Sequence, residues 1–183
     1  MDNGATPLTA IAESFEGLAK LVKSLKNSSQ ELRLDTLCDA CSLVSILFSS
    51  LGLAFKFAEL EYVSKIANRM KFECHSRNLR RVRQGLDLIR ALFEQFMSTD
   101  EYSLRDAAST AYTRVCAPYH SWAVRTAVSA GMYTLPTREQ LLLKLNETNQ
   151  SAEKKMRRYI NASGPVIEYI DKLYISRKIS LDW

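Results

Sequence analysis

Apolar side chains return every three or four residues along almost the whole chain, and no stretch alternates apolar with polar as a half-buried strand would. The first such run, Thr9 to Leu25, carries Ile11, Phe15, Leu18, Val22 and Leu25 on one side before Asn27-Ser28-Ser29 interrupts it. A second, with Asp35 as its cap, brings Leu37, Cys41, Val44, Leu47, Phe48 and Leu51 into line, and Gly52 ends it. The pattern resumes over Ala54–Met70, Ser76–Ser98 and Leu104–Val115, with Ser98-Thr99-Asp100 as a capping cluster between the last two. Pro118 suits the first turn of a helix from about Tyr119 to Met132, which His120 would open. Thr137 with Gln140 reads as a capping box for Arg138–Leu145, and a final helix starts near Ser151 and is kinked by Pro165. The expectation is about eight helices in one all-α domain over residues 8–183, after a disordered N-terminus, 1–7.

One segment departs from simple amphipathicity. In Ser76–Phe96 the residues Leu79, Val82, Leu86, Ile89, Phe93 and Phe96 form the ordinary core seam. Roughly 110° round at helical pitch lies a second face on which Arg77 and Arg81 stack one turn apart and are followed by Gly85, Leu88 and Leu92. Like charges at this spacing repel by a few tenths of a kcal/mol, about 0.2–0.5, unless an anion lies between them or water screens them. Two readings fit: a helix packed on both sides with arginines at its wet end, or a groove for an amphiphile with an anionic head. Residues 54–70 show a related face, where Glu61 and Lys65 follow Ala54, Phe57 and Ala58. By itself that is a surface ion pair; beside the arginine helix it suggests two walls of one pocket.

Composition narrows the picture. Six glycines and four prolines in 183 residues favour helix. The formal charge of +5 suits an anionic partner without choosing among nucleic acid, phospholipid and membrane surface. The cations are dispersed among apolar faces rather than gathered in a strip, so nucleic acid is not expected as a partner. The opening residues lack a signal-peptide pattern, and no run of about 18 apolar residues is apparent, so a cytoplasmic chain without a membrane span is expected. Cys38, Cys41, Cys74 and Cys116 are read as reduced core residues. The alternative is a metal or redox pair at Cys38 and Cys41 with Cys74 and His75, but no second closely spaced pair follows. His120 reads as either a structural histidine or a ligand-binding one. No serine–histidine–acid order, paired carboxylates or glycine-rich phosphate loop accompanies it, so neither catalysis nor a metal or cofactor is expected.

The segments CSLVSILFSSLGLAFKFAELEYVSKI (41–66), SRNLRRVRQGLDLIRALFEQF (76–96), APYHSWAVRTAVSAGMYTLPTREQLL (117–142) and the terminal LDW resemble the glycolipid transfer protein superfamily, over roughly residues 36–183. The resemblance implies a two-layer all-helical sandwich that encloses lipid chains in a hydrophobic pocket with a head-group site at its mouth. It also implies that Glu61 takes the sphingoid amide N–H and His120 meets the amide carbonyl. Lys65, Arg77 and Arg81 fall where the phosphate-selective branch surrounds its head group. Arg81 stands where the sugar-binding branch has a tryptophan, and a forked cation suits phosphate oxygens better than a pyranose face. Trp122 matches a tryptophan that docks at the membrane, against the simpler reading of a half-buried core residue.

The function so implied is non-enzymatic transfer of ceramide-1-phosphate or a related phosphosphingolipid between membranes, with transient peripheral membrane contact. Two departures stand beside it. Glu61 is one methylene longer than the family's usual aspartate. Eleven residues, 66–76, separate Lys65 from Arg77, where the family has the rest of one helix and a whole further helix. A lipid-sensing regulatory or scaffold protein with little transfer activity, working through protein partners, is the alternative that this shortening raises.

Overall fold

A computed structural model describes residues 5–26, 28, 30–52, 55, 75–98 and 103–177. Their regular elements are α1 (Pro7–Leu25), α2 (Leu34–Leu51), α3 (His75–Ser98), α4 (Leu104–Val115), α5 (Trp122–Gly131), α6 (Arg138–Lys144) and α7 (Asn149–Ser176). Two short 3-10 turns, Ala117–Tyr119 and Met132–Thr134, flank α5. The all-α expectation holds: seven α-helices stand among the described residues, where about eight were expected along the whole chain. The helix expected over 54–70 and the shortened segment 66–76 lie mostly outside the described residues; Phe55 is buried and its ring stacks on Phe48.

Helix α1 packs on α2 and α7, α7 packs on α3, and α3 on α4; α2 touches α3 and α6. At the centre, Phe15 of α1 meets the Tyr159 ring of α7 edge-on at 4.9 Å, and Phe93 of α3 meets the same ring at 5.5 Å. The Tyr159 hydroxyl, carried into the core by this packing, donates to the Leu86 carbonyl at 3.0 Å, so its polar end is satisfied. Burial pushes its pKa well up, with Cys41 and Asp87 adding to the rise. Helix α2 is long and apolar enough to cross a membrane by length and composition, contrary to the expected absence of such a segment. Its buried stripe, Leu37 to Leu51, lies in the common core, while Asp35, Asp39, Ser42 and Ser49 face outward.

Local chemistry explains where the helix ends differ from the expected ones. Thr6 accepts from the Thr9 N–H and Pro7 occupies the first turn, so α1 starts before Thr9, and Pro7, expected within a disordered N-terminus, is helical. Asp35 sits inside the first turn of α2, where its charge favours the helix dipole, and Arg33 is the flanking residue. Ser103, which accepts from the Asp106 N–H, caps α4; among the described residues it does what was expected of Ser98-Thr99-Asp100. Thr137 and Gln140 do form the capping box of α6. Thr148 and Ser151 cap each other reciprocally, which starts α7 at Asn149 rather than Ser151. The last helix then continues through Pro165 to Ser176.

Candidate functional site

The expected helix over 119–132 is divided, and the division creates the site's central turn. After the 3-10 turn, His120 is extended at φ −105° and ψ 142°. The Ser121 hydroxyl then accepts from the Val124 N–H and starts α5 at Trp122. His120 therefore precedes the helix it was expected to open. It projects from a linker whose own N–H donates to the Ala117 carbonyl at 3.2 Å.

Three contacts bind this turn to its surroundings. Gln84 of α3 donates to the carbonyl of Val115, the last residue of α4, at 3.2 Å. The Arg80 guanidinium lies 5.3 Å from the centre of the Tyr119 ring. His120 Nδ1 is 2.8 Å from the Tyr112 hydroxyl. The first two hold the start of α3 against the His120 turn. Arg81, next to Arg80, is exposed on that same part of α3. Of Arg77 the helical position, one turn earlier, is described and the side chain is not; Glu61 and Lys65 lie outside the described residues. The structure thus brings Arg80 of α3 against Tyr119, the residue before His120. The patterns of charge and grease in the sequence did not signal Tyr112, Arg80 or Tyr119.

The apolar half of α3's second face is closed. Leu88 and Leu92 are buried in the common core together with Ala91, so α3 packs on both sides as the simpler reading had it. Cys116, at the end of α4, is buried and its thiol is pushed up to about 12 by burial and by Asp87, which keeps it an unreactive thiol. Cys41 is buried in the core and Cys38 half-buried.

Beyond His120 the surface changes character. No residue of α5 is buried. Trp122 is 75% exposed, which excludes the reading of it as a half-buried core residue. Tyr133 is 74% exposed, with the Arg105 guanidinium 4.5 Å from its ring centre. An apolar, aromatic flank edged by arginine therefore adjoins the His120 turn.

The model of the glycolipid transfer protein family matches residues 67–147, a range that includes Arg77, Arg81, His120 and Trp122 and begins after Glu61 and Lys65. The chain is 60% identical to the Arabidopsis thaliana ACD11 homolog protein over 204 residues, covering 97% of this chain and 89% of the relative. It is 40% identical to Arabidopsis thaliana Accelerated cell death 11 over 201 residues, 97% of this chain and 96% of the relative. A crystal structure of a mutant of the latter, complexed with ceramide-1-phosphate, superposes with a TM-score of 0.90 and covers 97% of this chain and 98% of that one. Human ceramide-1-phosphate transfer protein, at 21% identity and a TM-score of 0.77 over 98% of this chain and 99% of its own, shows the same fold.

This is the all-helical fold of a class of lipid transfer proteins. The chain belongs to the glycolipid transfer protein family. The 204-position alignment spans about 178 residues of this chain, its 97%, so about 26 of its positions have no counterpart here.

Proposed function

We propose that the chain binds ceramide-1-phosphate or a closely related phosphosphingolipid and carries it between membranes without chemical change. The observation that carries this reading is the 40% identity, across 97% of the chain, to a protein crystallised with ceramide-1-phosphate. The exposed Arg81 on the part of α3 that flanks the His120 turn supports it. Arg77, Arg81 and Lys65 hold the phosphate, Glu61 takes the amide N–H and His120 donates to the amide carbonyl. Trp122 docks at the bilayer while the chains are withdrawn.

Energetics assign selectivity to the head group. Each methylene removed from water is worth about 0.8 kcal/mol. The bilayer already shelters those methylenes, so moving them into protein is nearly neutral. A hydrogen bond to a charged group contributes about 1.5–3 kcal/mol net. Cations on one phosphate therefore decide which lipid leaves the membrane. Leu88 and Leu92 are packed in the core, so on this reading the chains enter by displacing apolar contacts in the α3 layer.

Transfer of fluorescent ceramide-1-phosphate between phosphatidylcholine vesicles tests the proposal. Arg81→Leu should lower the rate about 10- to 100-fold, the loss of one charged hydrogen bond, with helical circular dichroism unchanged. An unaltered rate overturns the phosphate assignment.

A second reading, a lipid sensor that moves little lipid, draws support from the shorter matched span and the bare α5. It predicts a one-to-one ceramide-1-phosphate adduct in native mass spectrometry but no vesicle-to-vesicle transfer. An adduct together with transfer excludes it.

A further inference from the structure

We propose that Tyr112 is a positioning residue for lipid recognition: its hydroxyl donates to Nδ1 of His120 and so fixes the proton on Nε2, the nitrogen presented to the lipid amide carbonyl. The inference rests on the reading of His120 as the amide ligand and supplies what that reading needs. A carbonyl oxygen only accepts, so a neutral imidazole serves it in one tautomer and repels it in the other.

The geometry favours Tyr112 as donor. Its residue is 8% exposed on the inward side of α4, with Ala108 and Val115 one turn away on the same buried side. The hydroxyl lies 2.8 Å from Nδ1, with the two ring centroids 5.6 Å apart and their planes at 43°. If Nδ1–H donated instead, the phenol proton would need another acceptor, and the hydrogen bond to His120 is the one described for this side chain. An unmade donor in a buried place costs more than an unused phenol lone pair. Burial also raises the phenol pKa, with Cys116 adding to the rise and Arg125 opposing it, so the proton to be donated is retained at neutral pH.

The backbone gives this bond its importance. His120 lies in extended backbone between a 3-10 turn and α5, outside either helix. Tyr112 reaches it from the last turn of a helix anchored to α3. An imidazole on a linker is thereby aimed by a rigid element, as second-shell partners orient metal-bound histidines.

The first measurement needs no variant. Long-range proton–nitrogen NMR of the nitrogen-15-labelled full chain at about pH 8, where imidazole is neutral, distinguishes protonated from bare ring nitrogens. His120 is distinguished from His75, the chain's other histidine, by the signal lost in His120→Gln. A bare Nδ1 and a protonated Nε2 are expected; a proton on Nδ1 overturns the proposal. Tyr112→Phe keeps the ring and removes the hydroxyl, and should shift the Nδ1 resonance and mix the tautomers. An unchanged spectrum also overturns it.

The second arm titrates the protein with phosphatidylcholine vesicles containing ceramide-1-phosphate. Tyr112→Phe should weaken uptake about five- to tenfold in the natural background and have no further effect on His120→Gln. If His120→Gln weakens uptake and Tyr112→Phe does not, the positioning role fails while the lipid-site reading stands. If the tautomer depends on Tyr112 but His120→Gln leaves uptake unchanged, the reading of His120 as amide ligand fails.

Discussion

The two ends of the molecule are built to different rules. Around α1, α3 and α7, aromatic rings interlock and ionic contacts tie α1 to α7. Glu147 accepts from Lys155 at 2.6 Å and also from Thr6 and Ser151, joining the start of α1 to the α6–α7 junction; Arg158 forks onto Glu16 at 2.7 Å through two nitrogens. Within α5 no residue is fully buried, and Trp122 and, just past the helix, Tyr133 are mostly exposed to water. One region spends its apolar surface on stability, the other leaves it available for a partner. On the proposed function the contrast divides stability, in α1, α3 and α7, from binding, at the His120 turn with α5, and substitutions can test the division.

The largest loss of stability should come from Phe15→Ala. Phe15 is fully buried against Tyr159, and removing such a ring leaves a cavity that costs about 3–5 kcal/mol. Urea denaturation measures it. A loss under about 1 kcal/mol would mean that this core is loose and that the division is wrong.

Next is Glu147→Gln, expected to cost about 2–3 kcal/mol at pH 7, because Lys155 loses its charged partner in a largely enclosed site. Burial alone would raise the Glu147 pKa; hydrogen bonds from Lys155, Ser151 and Thr6 and the charge of Lys155 outweigh it and hold the carboxyl below its usual range. A carboxylate depressed by folding stabilises above its unfolded pKa of about 4.3, and that contribution is lost as pH falls through the lower folded value. The stability gap between natural chain and variant should therefore be full at neutral pH and shrink in acid. A gap independent of pH would show that the carboxylate's charge is not what ties the α6–α7 junction to α1.

What could be read from residues alone follows the same division. The bounds of α4, the capping box at Thr137 and Gln140 and most of the α3 core seam follow from signals a few residues long, and the structure reproduces them. Leu79 is the exception on that seam, half-buried near the helix start. The break at His120 was missed because Pro118 does start a turn, but a 3-10 turn, and the competing cap at Ser121 outranks continuation. That α5 leaves Ala123, Val124 and Ala127 exposed could not be read from its sequence, since they look like any packed stripe; burial depends on which helices stand opposite. Resemblance named Arg77, Arg81, His120 and Trp122, yet Tyr112 became visible only once α4 was folded against the turn. Glu61 and Lys65, named by the same resemblance, lie outside the described residues.

A smaller effect is expected at the end of α2. Gly52 has φ +83°, a conformation that a side chain strains, and its N–H donates to the Ser49 carbonyl. A Cβ there would meet the Thr134 carbonyl oxygen at 3.9 Å, an ordinary contact, so conformation rather than crowding sets the cost. Gly52→Ala should lower stability by about 1–2 kcal/mol, read as a shift in the urea midpoint with an unchanged slope. A neutral result would mean that this turn relaxes freely.

The smallest change in stability is expected where the proposed function is most sensitive. Trp122→Ala removes a side chain that is 75% exposed, and Val124→Ala trims one that is 42% exposed, so each should alter stability by no more than about 0.5 kcal/mol. An indole prefers the zone between water and hydrocarbon, so Trp122→Ala should weaken association with vesicles severalfold in a sedimentation assay while leaving the urea midpoint in place. A residue that stabilised the fold would move both measurements together, and one that merely decorated the surface would move neither. Lost vesicle binding at constant stability is the result that separates α5 from the core it adjoins. If stability falls instead, α5 has a structural partner and its bare face is not a docking surface.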